Sequence, residues 1–547
     1  MGEGTICCEE VNRELQDEAI EFEEECWDDV NGQQLDAGKV RRAREVELEY
    51  FDDKKVGELA PIKTCWDRTG RAPVTVRWID HDKGTNGKEN YRSRLVARQF
   101  RGEEEAIFAA TPPLEALKLL LSMAVSGDDT RKLGVLDVSR AFFNADITEE
   151  TYVELPDELK KQHPNMCWKL RKAMYGTRAA ANSWAKEYTA KLLEWQFQRG
   201  RSTPCVFFHR GRRLMVMVHG DDFVSLGADE EVRWFHKQME DAYEVKIRGV
   251  LGPEPGDDKK IEILNRIVEW NSDGISYEGD PRHADAIIQA MGLEKGKSAV
   301  TPGTKVKDRD DDDDVELGRP EAKEFRSLAA RANFMAIDRA DIQYSVKEIC
   351  RRMSKPCKGD WDGLKHLARY LLGKRRLVTK FKYQAMPDGI TVFTDTNHAG
   401  CLRTRKSTNG GMILHGIHLI KSWSSTQAVI ALSSGESEYY GLIKGASEGL
   451  GVKSIMADWE CDRSVKVWTD SSAAKGIANR IGLSKRTRHI AVHYLWLQER
   501  VEAGDLEVGK VAGEKNPADI GTKFLSREIM ERHLARIMVE EVYTRTE

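Results

Sequence analysis

The stretch Arg213-Leu-Met-Val-Met-Val-His-Gly-Asp-Asp-Phe-Val-Ser-Leu226 constrains this chain more than any other. Two short apolar runs, rich in Met and β-branched residues, flank His219-Gly220-Asp221-Asp222. Each run has the composition of a buried strand, and Gly220 supplies the turn between them. The product is a hairpin with adjacent carboxylates at its tip. Taken alone, Gly-Asp is also ordinary turn chemistry with a solvated second Asp. A second apolar strand upstream, Leu133 to Phe143, carries one acid, Asp137. Neighbouring strand residues point to opposite faces, so Asp221 and Asp222 cannot both aim at one ion from a flat strand. Asp221 at the turn, set beside Asp137 from a neighbouring strand, is the expected pair. Two such carboxylates are what a pair of Mg²⁺ ions needs to clamp attacking and leaving oxygens in phosphoryl transfer.

Four motifs follow one another over about ninety residues: Leu136-Asp-Val-Ser-Arg-Ala-Phe-Phe-Asn-Ala-Asp146, Tyr152-Val-Glu-Leu-Pro156, Trp168-Lys-Leu-Arg-Lys-Ala-Met-Tyr-Gly176 and His219-Gly-Asp-Asp222. In this order and spacing they resemble the reverse transcriptase of copia-type (Pseudoviridae) LTR retrotransposon Pol polyproteins. The resemblance covers roughly residues 50 to 540. It implies a mixed α+β and α/β chain: a right-hand polymerase of fingers, palm and thumb, then a helical connection and an RNase H-like domain. It also implies that Asp137, Asp221 and Asp222 are catalytic metal ligands, with two Mg²⁺ per active site and Mn²⁺ as a substitute. His219 stands where the family has Tyr, and the resemblance gives it, with Gly220, a place in the primer grip or the hairpin. The family carries gag, protease and integrase segments upstream, so the chain reads as the C-terminal part of a polyprotein.

At 547 residues the chain has room for roughly two to four domains with buried cores. Its 40% apolar and 32% charged content is that of ordinary globular protein. No run approaches the about 18 apolar residues of a membrane span, so no membrane partner is expected. The N-terminus lacks the basic-then-apolar pattern of a secretory signal. Ten cysteines without C-x-x-C spacing argue against structural zinc and for reduced thiols inside the cell. By resemblance, that setting is a cytoplasmic particle or the nucleus. Charge is unevenly spread: residues 1–60 hold 19 Asp/Glu against 7 Lys/Arg, a net of −12, so the rest carries +7 of the chain's −5 total. A positive working portion suits a polyanionic ligand.

Residues 1–45 read as an acidic, disordered tail, with a helix over Val11 to Phe22 as the alternative. Residues 46–303 are the expected fingers and palm. Within them, Val74 to Ile79 and Tyr91 to Phe100, joined through Gly84 and Gly87, form a hairpin with Arg92, Arg94 and Arg98 on alternating, same-side positions. By resemblance Arg94 and Arg98 meet the phosphates of an incoming dNTP; a solvated strand face is the bland alternative. Phe142 is by resemblance the steric gate against a ribose 2′-OH, and otherwise core packing. Tyr175 and Gly176 precede an amphipathic helix ending near Leu193, where Gly admits close approach of backbone to a base or phosphate. The family's Lys-Gln-Ala-Pro is here Arg178-Ala-Ala-Ala181. A further helix is expected over Val232 to Tyr243. Residues 304–388 are an acidic linker containing Asp310 to Asp314, followed by a helical thumb or connection.

A second acidic set lies in residues 389–525. Strand Ile390 to Asp395 ends in a carboxylate, a turn Arg405 to Gly411 leads into strand Met412 to Leu414, and Val465 to Asp470 repeats the strand-then-Asp pattern. Between them Ser434 is the expected N-cap of a helix carrying Glu436 and Glu438, with Leu442, Ala446 and Leu450 on one face. Asn516-Pro-Ala-Asp519 opens a later helix. Convergent carboxylates of this kind are what a two-metal nuclease requires. Ser-Ser-x-Glu-Ser-Glu-Tyr and Pro-Ala-Asp-Ile-x-Thr-Lys resemble the copia RNase H, which assigns Asp395, Glu438, Asp470 and Asp519 as catalytic metal ligands. Glu436, facing elsewhere on the helix, is the alternative to Glu438. His489 and His493, spaced i, i+4, read as an exposed helix face rather than a metal pair. Residues 526–547 hold a closing helix from Glu528 to Val542.

The expected function is an RNA-directed DNA polymerase with ribonuclease H activity, copying retrotransposon RNA and degrading the RNA strand of the hybrid. Its partners are an RNA template, a DNA primer, the RNA–DNA hybrid and dNTPs; self-association stays open. The alternatives are a degenerate relic that only binds nucleic acid, or a chain active solely as an RNase H.

Overall fold

A computed structural model describes residues 25–30, 32–84, 88–99, 110–304, 315–485 and 487–542. The expected Val11 to Phe22 helix, Gly87 and Phe100 of the hairpin, and the acidic run Asp310 to Asp314 lie outside the described residues. The chain divides into two compact units: Met1–Ala109 with Arg140–Ala190, and Ala110–Ser139 with Lys191–Glu547.

In the first unit, order begins earlier than the acidic composition led us to expect. Strands Cys26–Trp27 and Gln34–Leu35 pair, and helix Ala37–Asp53 follows, its first turn closed by Asp36 accepting from the Lys39 amide at 2.9 Å. The acidic residues here have structural partners. Asp28 accepts from the amides of Val30 and Asp82 and pairs with His81 at 2.8 Å, and buried Glu47 pairs with Arg140 at 2.7 Å. Phe51, from the same helix, stacks on Trp168 at 4.3 Å, so the helix is anchored by apolar burial. The expected tail to residue 45 is therefore corrected from Cys26 onward. Strands Gly57–Pro61, Met166–Leu170 and Tyr152–Glu154 form one sheet, and Val76–Asp82 with Tyr91–Ala97 forms the expected hairpin.

The second unit is built on three sheets. A six-stranded antiparallel sheet sets Lys132–Val138 between Val245–Leu251 and Asp222–Gly227, and continues through Leu214–His219 to Val206–His209 and Gln198–Arg199. Helix Asp229–Ala242 follows it, close to the expected bounds. A second sheet holds Lys260–Ile263, Arg266–Asn271, Gly274–Glu278, Leu377–Lys382 and Val539–Glu541. The third runs His418–Thr426, Thr408–His415, Gly389–Asn397, Ser464–Thr469, Glu507–Lys510, the first three antiparallel and the last two joining in parallel. Helix Leu114–Ala124, buried from Ala116 onward, shares one hydrophobic core with the first and third sheets.

Three expected boundaries, 303/304, 388/389 and 525/526, fall inside this unit. Ile275 pairs with Phe381, so residues on both sides of the 303/304 division share a sheet. The closing helix spans only Arg527–Arg536; the chain reverses at Met538, whose φ is +56°, and Val539–Glu541 adds to the same sheet. The strand expected from Met412 starts already at Thr408, because Asn409 and Gly410 pair across to Thr396 and Asp395.

Candidate active sites

The Gly220 hairpin forms as its residues dictate. Gly220, at φ +65°, and Asp221 make a two-residue turn, with a left-handed first position that suits glycine. Because the turn consumes Asp221, Asp222 becomes the first strand residue, opposite both His219 and Asp137. Directly opposed residues share a face, so the close pair is Asp137 with Asp222. This departs from the expected Asp137 with Asp221: Asp221 is exposed at the tip, its carbonyl accepting from the Val138 amide at 2.9 Å. Burial pushes the Asp222 carboxyl up to about 6; Arg248 opposes this, and the like charges of Asp221 and Asp137 add to it. Asp222 Oδ1 is buried and receives no directed hydrogen bond among the described residues; its neighbour is Arg248 Nη2, an ion pair at 2.9 Å. A buried carboxylate oxygen beside a second carboxylate, neutralised by a cation, suits a hard metal ion in the same place.

In the first unit, three further expected residues come together. The Arg94 guanidinium sits 5.3 Å from the Tyr175 ring centre, and Phe142 meets the same ring edge-on at 5.0 Å. Phe142 is half-buried, while Phe143 fills the core. Gly176 has φ +79°, and a Cβ there would lie 2.0 Å from the Ala97 carbonyl oxygen, so only glycine fits. Arg92 and Arg94 are exposed on one strand face, and Arg98 is exposed just past the strand end.

The second acidic set converges. Carboxylate oxygens of Asp395, Glu438 and Asp470 all lie within 4.8 Å of one another, the first two buried. Burial pushes Glu438 up to about 8, with the like charges of Asp395 and Asp470 adding and a hydrogen bond from Thr396 at 2.7 Å opposing. Asp395 is raised by burial and then by Asp519, and Asp470 shifts in the same direction for the same two reasons. Glu438 Oε2 is buried without a hydrogen-bond partner among the described residues. Asp519 sits on a short 3-10 helix, Pro517–Gly521, and is paired to Lys523 at 2.9 Å. The N-cap is Ser433, not Ser434: its hydroxyl accepts from the Glu436 amide.

Glu436 does face elsewhere, accepting from Tyr440, the Leu432 amide and His489. His489 is therefore engaged with a carboxylate, and it precedes the short helix Val492–Leu495 that carries His493, so the two do not share a helix face.

Several determinants of this site went unread in the sequence. Gly441, Gly445 and Gly449 recur every fourth residue on helix Ser434–Asp458, and a Cβ at Gly445 would lie 2.3 Å from the Thr394 methyl. This glycine stripe lets the helix settle onto the Asp395 strand and delivers Glu438 to it. Gly410 and Gly521 do the same for the Asp519 segment, which Asn516 ties to the Thr394 carbonyl at 2.8 Å and Thr522 ties to Asp395. The period-four glycines were the signal available. Gly445→Val should cost about 2–3 kcal/mol, because overpacking outweighs the few tenths gained in helix propensity. Gly451→Ala, in open space on the same helix, should stabilise by up to about 1 kcal/mol. Thermal melts of the two variants check the contrast.

Residues 66–254 match the family described as reverse transcriptase (RNA-dependent DNA polymerase). The chain is 26% identical over 482 residues to the retrovirus-related Pol polyprotein from transposon TNT 1-94 of Nicotiana tabacum, covering 84% of this chain and 35% of that protein. It is 26% identical over 506 residues to the corresponding polyprotein from transposon RE2 of Arabidopsis thaliana, covering 87% and 33%. The chain thus spans about a third of the length of these relatives. Among solved structures, the foamy viral protease-reverse transcriptase in complex with RNA/DNA hybrid aligns with a TM-score of 0.47 at 12% identity, covering 86% of this chain and 54% of that one.

Proposed function

We propose that this chain, a relative of the copia-type transposon Pol polyproteins with a reverse transcriptase domain over residues 66–254, is an RNA-directed DNA polymerase joined to a ribonuclease H. The observation that carries this reading is the presence of two separate carboxylate clusters, Asp137 with Asp222 and Asp395 with Glu438 and Asp470; Asp222 Oδ1 is buried against an ion pair to Arg248, and Glu438 Oε2 is buried with no hydrogen-bond partner among the described residues. All-oxygen donor sets of this kind fit Mg²⁺, with Mn²⁺ as the substitute. Bound there, a pair of such ions would stabilise charge on the attacking and leaving oxygens of phosphoryl transfer.

The chain's own side chains set up the rest. Asp137, Asp221 and Asp222 gather negative charge at the hairpin for DNA synthesis. Arg94, laid against Tyr175, offers its guanidinium to the phosphates of a dNTP, with Arg98 nearby in sequence. Gly176 leaves its backbone open to a base or phosphate, and His219 with Gly220 presents the hairpin to the primer. In the second cluster Asp395, Glu438 and Asp470 would hold the ions, while Lys523 pairs with Asp519 at 2.9 Å. Strand ends that present acids around a mixed five-stranded sheet support an RNase H-like reading of residues 389–525. The positive balance outside the first sixty residues supports a template–primer or hybrid as ligand. The eight cysteines among the described residues are free thiols, compatible with the proposed intracellular setting.

Primer extension on a labelled RNA template tests the reading: Mg²⁺ should support DNA synthesis and loss of the RNA strand, and EDTA should stop both. Folded protein that performs neither overturns it. Phe142→Ala should raise ribonucleotide incorporation relative to deoxyribonucleotide by about tenfold or more, since a 2′-OH no longer meets a ring. Unchanged discrimination in an active variant would make Phe142 a packing residue only.

A further inference from the structure

The acid pair of the six-stranded sheet already contains a cation supplied by the chain. Arg248 reaches with one nitrogen, Nη2, to Asp137 Oδ1 at 3.3 Å and Asp222 Oδ1 at 2.9 Å. Its position follows from a bulge. Strand Val245–Leu251 pairs Ile247 with Leu136 and Gly249 with Val135, leaving Arg248 as the extra residue, with Gly249 at φ +148°. Bulges re-aim side chains, and this one turns a guanidinium onto the acids from the neighbouring edge of the Asp137 strand.

The second cluster is arranged differently. Lys523 bonds Asp519 and leaves the Asp395, Glu438 and Asp470 oxygens facing one another. One cluster is therefore bridged by a cation of the protein's own, and the other is open.

We propose that Arg248 is a metal-substituting latch: it bridges Asp137 and Asp222 in the metal-free protein, must leave before divalent ions enter, and so sets the metal concentration at which this site fills. This rests on the reading of that pair as a metal site. A guanidinium does not lose its proton in the working pH range, so displacement is its only way out. Its side chain is 34% exposed, which gives it a path into solvent and keeps the ion pair weak enough to yield. When the competent state is a minor one, apparent affinity falls by its fractional population. A latch closed nine times in ten or more thus weakens binding about tenfold or more.

The test uses the full chain with Asp395→Asn, Glu438→Gln and Asp470→Asn, so that the second cluster is silent, and Mn²⁺ alone as the probe, followed by the electron paramagnetic resonance of the free ion. Arg248→Leu should bind Mn²⁺ at least about tenfold more tightly, and Arg248→Lys should fall between, because one ammonium spans the pair less well. Lys246→Leu removes an equal charge from the position opposite Asp137 on the same strand, where Lys246 does not bridge the two acids, and should change affinity by less than about threefold. Unchanged or weaker binding in both folded Arg248 variants overturns the latch, as does an equal gain from Lys246→Leu. If Arg248→Leu does not fold, Arg248→Lys against Lys246→Leu decides. Asp222→Asn separates the two claims. If it abolishes Mn²⁺ uptake while the Arg248 variants leave uptake unchanged, the metal site stands and the latch fails. If no form takes up Mn²⁺ at the pair, the metal reading fails and the latch falls with it.

Discussion

Asp222→Asn is expected to lower DNA synthesis by about three orders of magnitude while leaving cleavage of the RNA strand in a hybrid intact, and Glu438→Gln to do the reverse. Asp222 is the residue to change because it stands directly across from Asp137 and its buried Oδ1 is held by charge, in an ion pair to Arg248. Asparagine keeps its shape and removes the charge that would hold a cation. A loss of about 10³ corresponds to about 4 kcal/mol in the barrier, the scale of charge stabilisation that metal ions supply. Glu438 lies on a different sheet-and-helix assembly, gathered by the glycine stripe rather than by the hairpin. The fold should tolerate both changes, since burial already biases each acid toward its neutral form. Extension and cleavage are to be measured on the same labelled hybrid, with circular dichroism as the control. A single substitution that abolishes both activities in folded protein would show that the clusters do not act separately.

How much of this was legible in the sequence differs from element to element. The hairpin at Gly220 was readable because local chemistry decides it: apolar runs form strands, and a glycine closes the turn. Which aspartate faces Asp137 was not readable. It depends on whether the turn takes two residues or three, and a one-residue change in register exchanges the faces. The convergence of Asp395, Glu438 and Asp470 was visible as strand ends and a helix start. What draws them within 4.8 Å is glycine in the facing helix, a contact 50 residues away in sequence. Arg248 was passed over because a bulge, rather than its place in a pattern, aims it. The acidic start of the chain misled for a related reason. Composition alone predicts disorder for residues 26–45, but Asp28 and Asp36 each have a specific partner, and just beyond them Glu47 pairs with Arg140 and Phe51 buries itself against Trp168.

In metal-free protein Glu438 should favour the fold more at pH 6 than at pH 8.5, a difference that Glu438→Gln removes, and Mg²⁺ should reverse the order. Glu438 moves from an ordinary 4.5 up to about 8 by burial, then by the charges of Asp395 and Asp470; Asp395 moves the same way by burial and Asp519. A carboxyl with a raised folded-state pKa holds its proton more tightly folded than unfolded. Its contribution is therefore fully present below about pH 4.5 and is lost as pH rises through about 8. For Glu438 alone the difference is on the order of 4 kcal/mol across that window. A bound cation needs the ionised form, so loading must expel protons near neutral pH and must stabilise most where the bare cluster is weakest. Melting in EDTA at pH 6 and pH 8.5, and calorimetric Mg²⁺ titration in two buffers of different ionisation enthalpy, measure both halves. Glu438→Gln should flatten the pH dependence in EDTA, because the amide is neutral throughout. Proton release that survives this change, but disappears in Asp222→Asn, would move the effect to the hairpin pair, whose carboxyl titrates at about 6. A pH dependence in EDTA that Glu438→Gln leaves unchanged would mean that this buried acid is not held neutral, and the electrostatic account of the cluster would have to be abandoned.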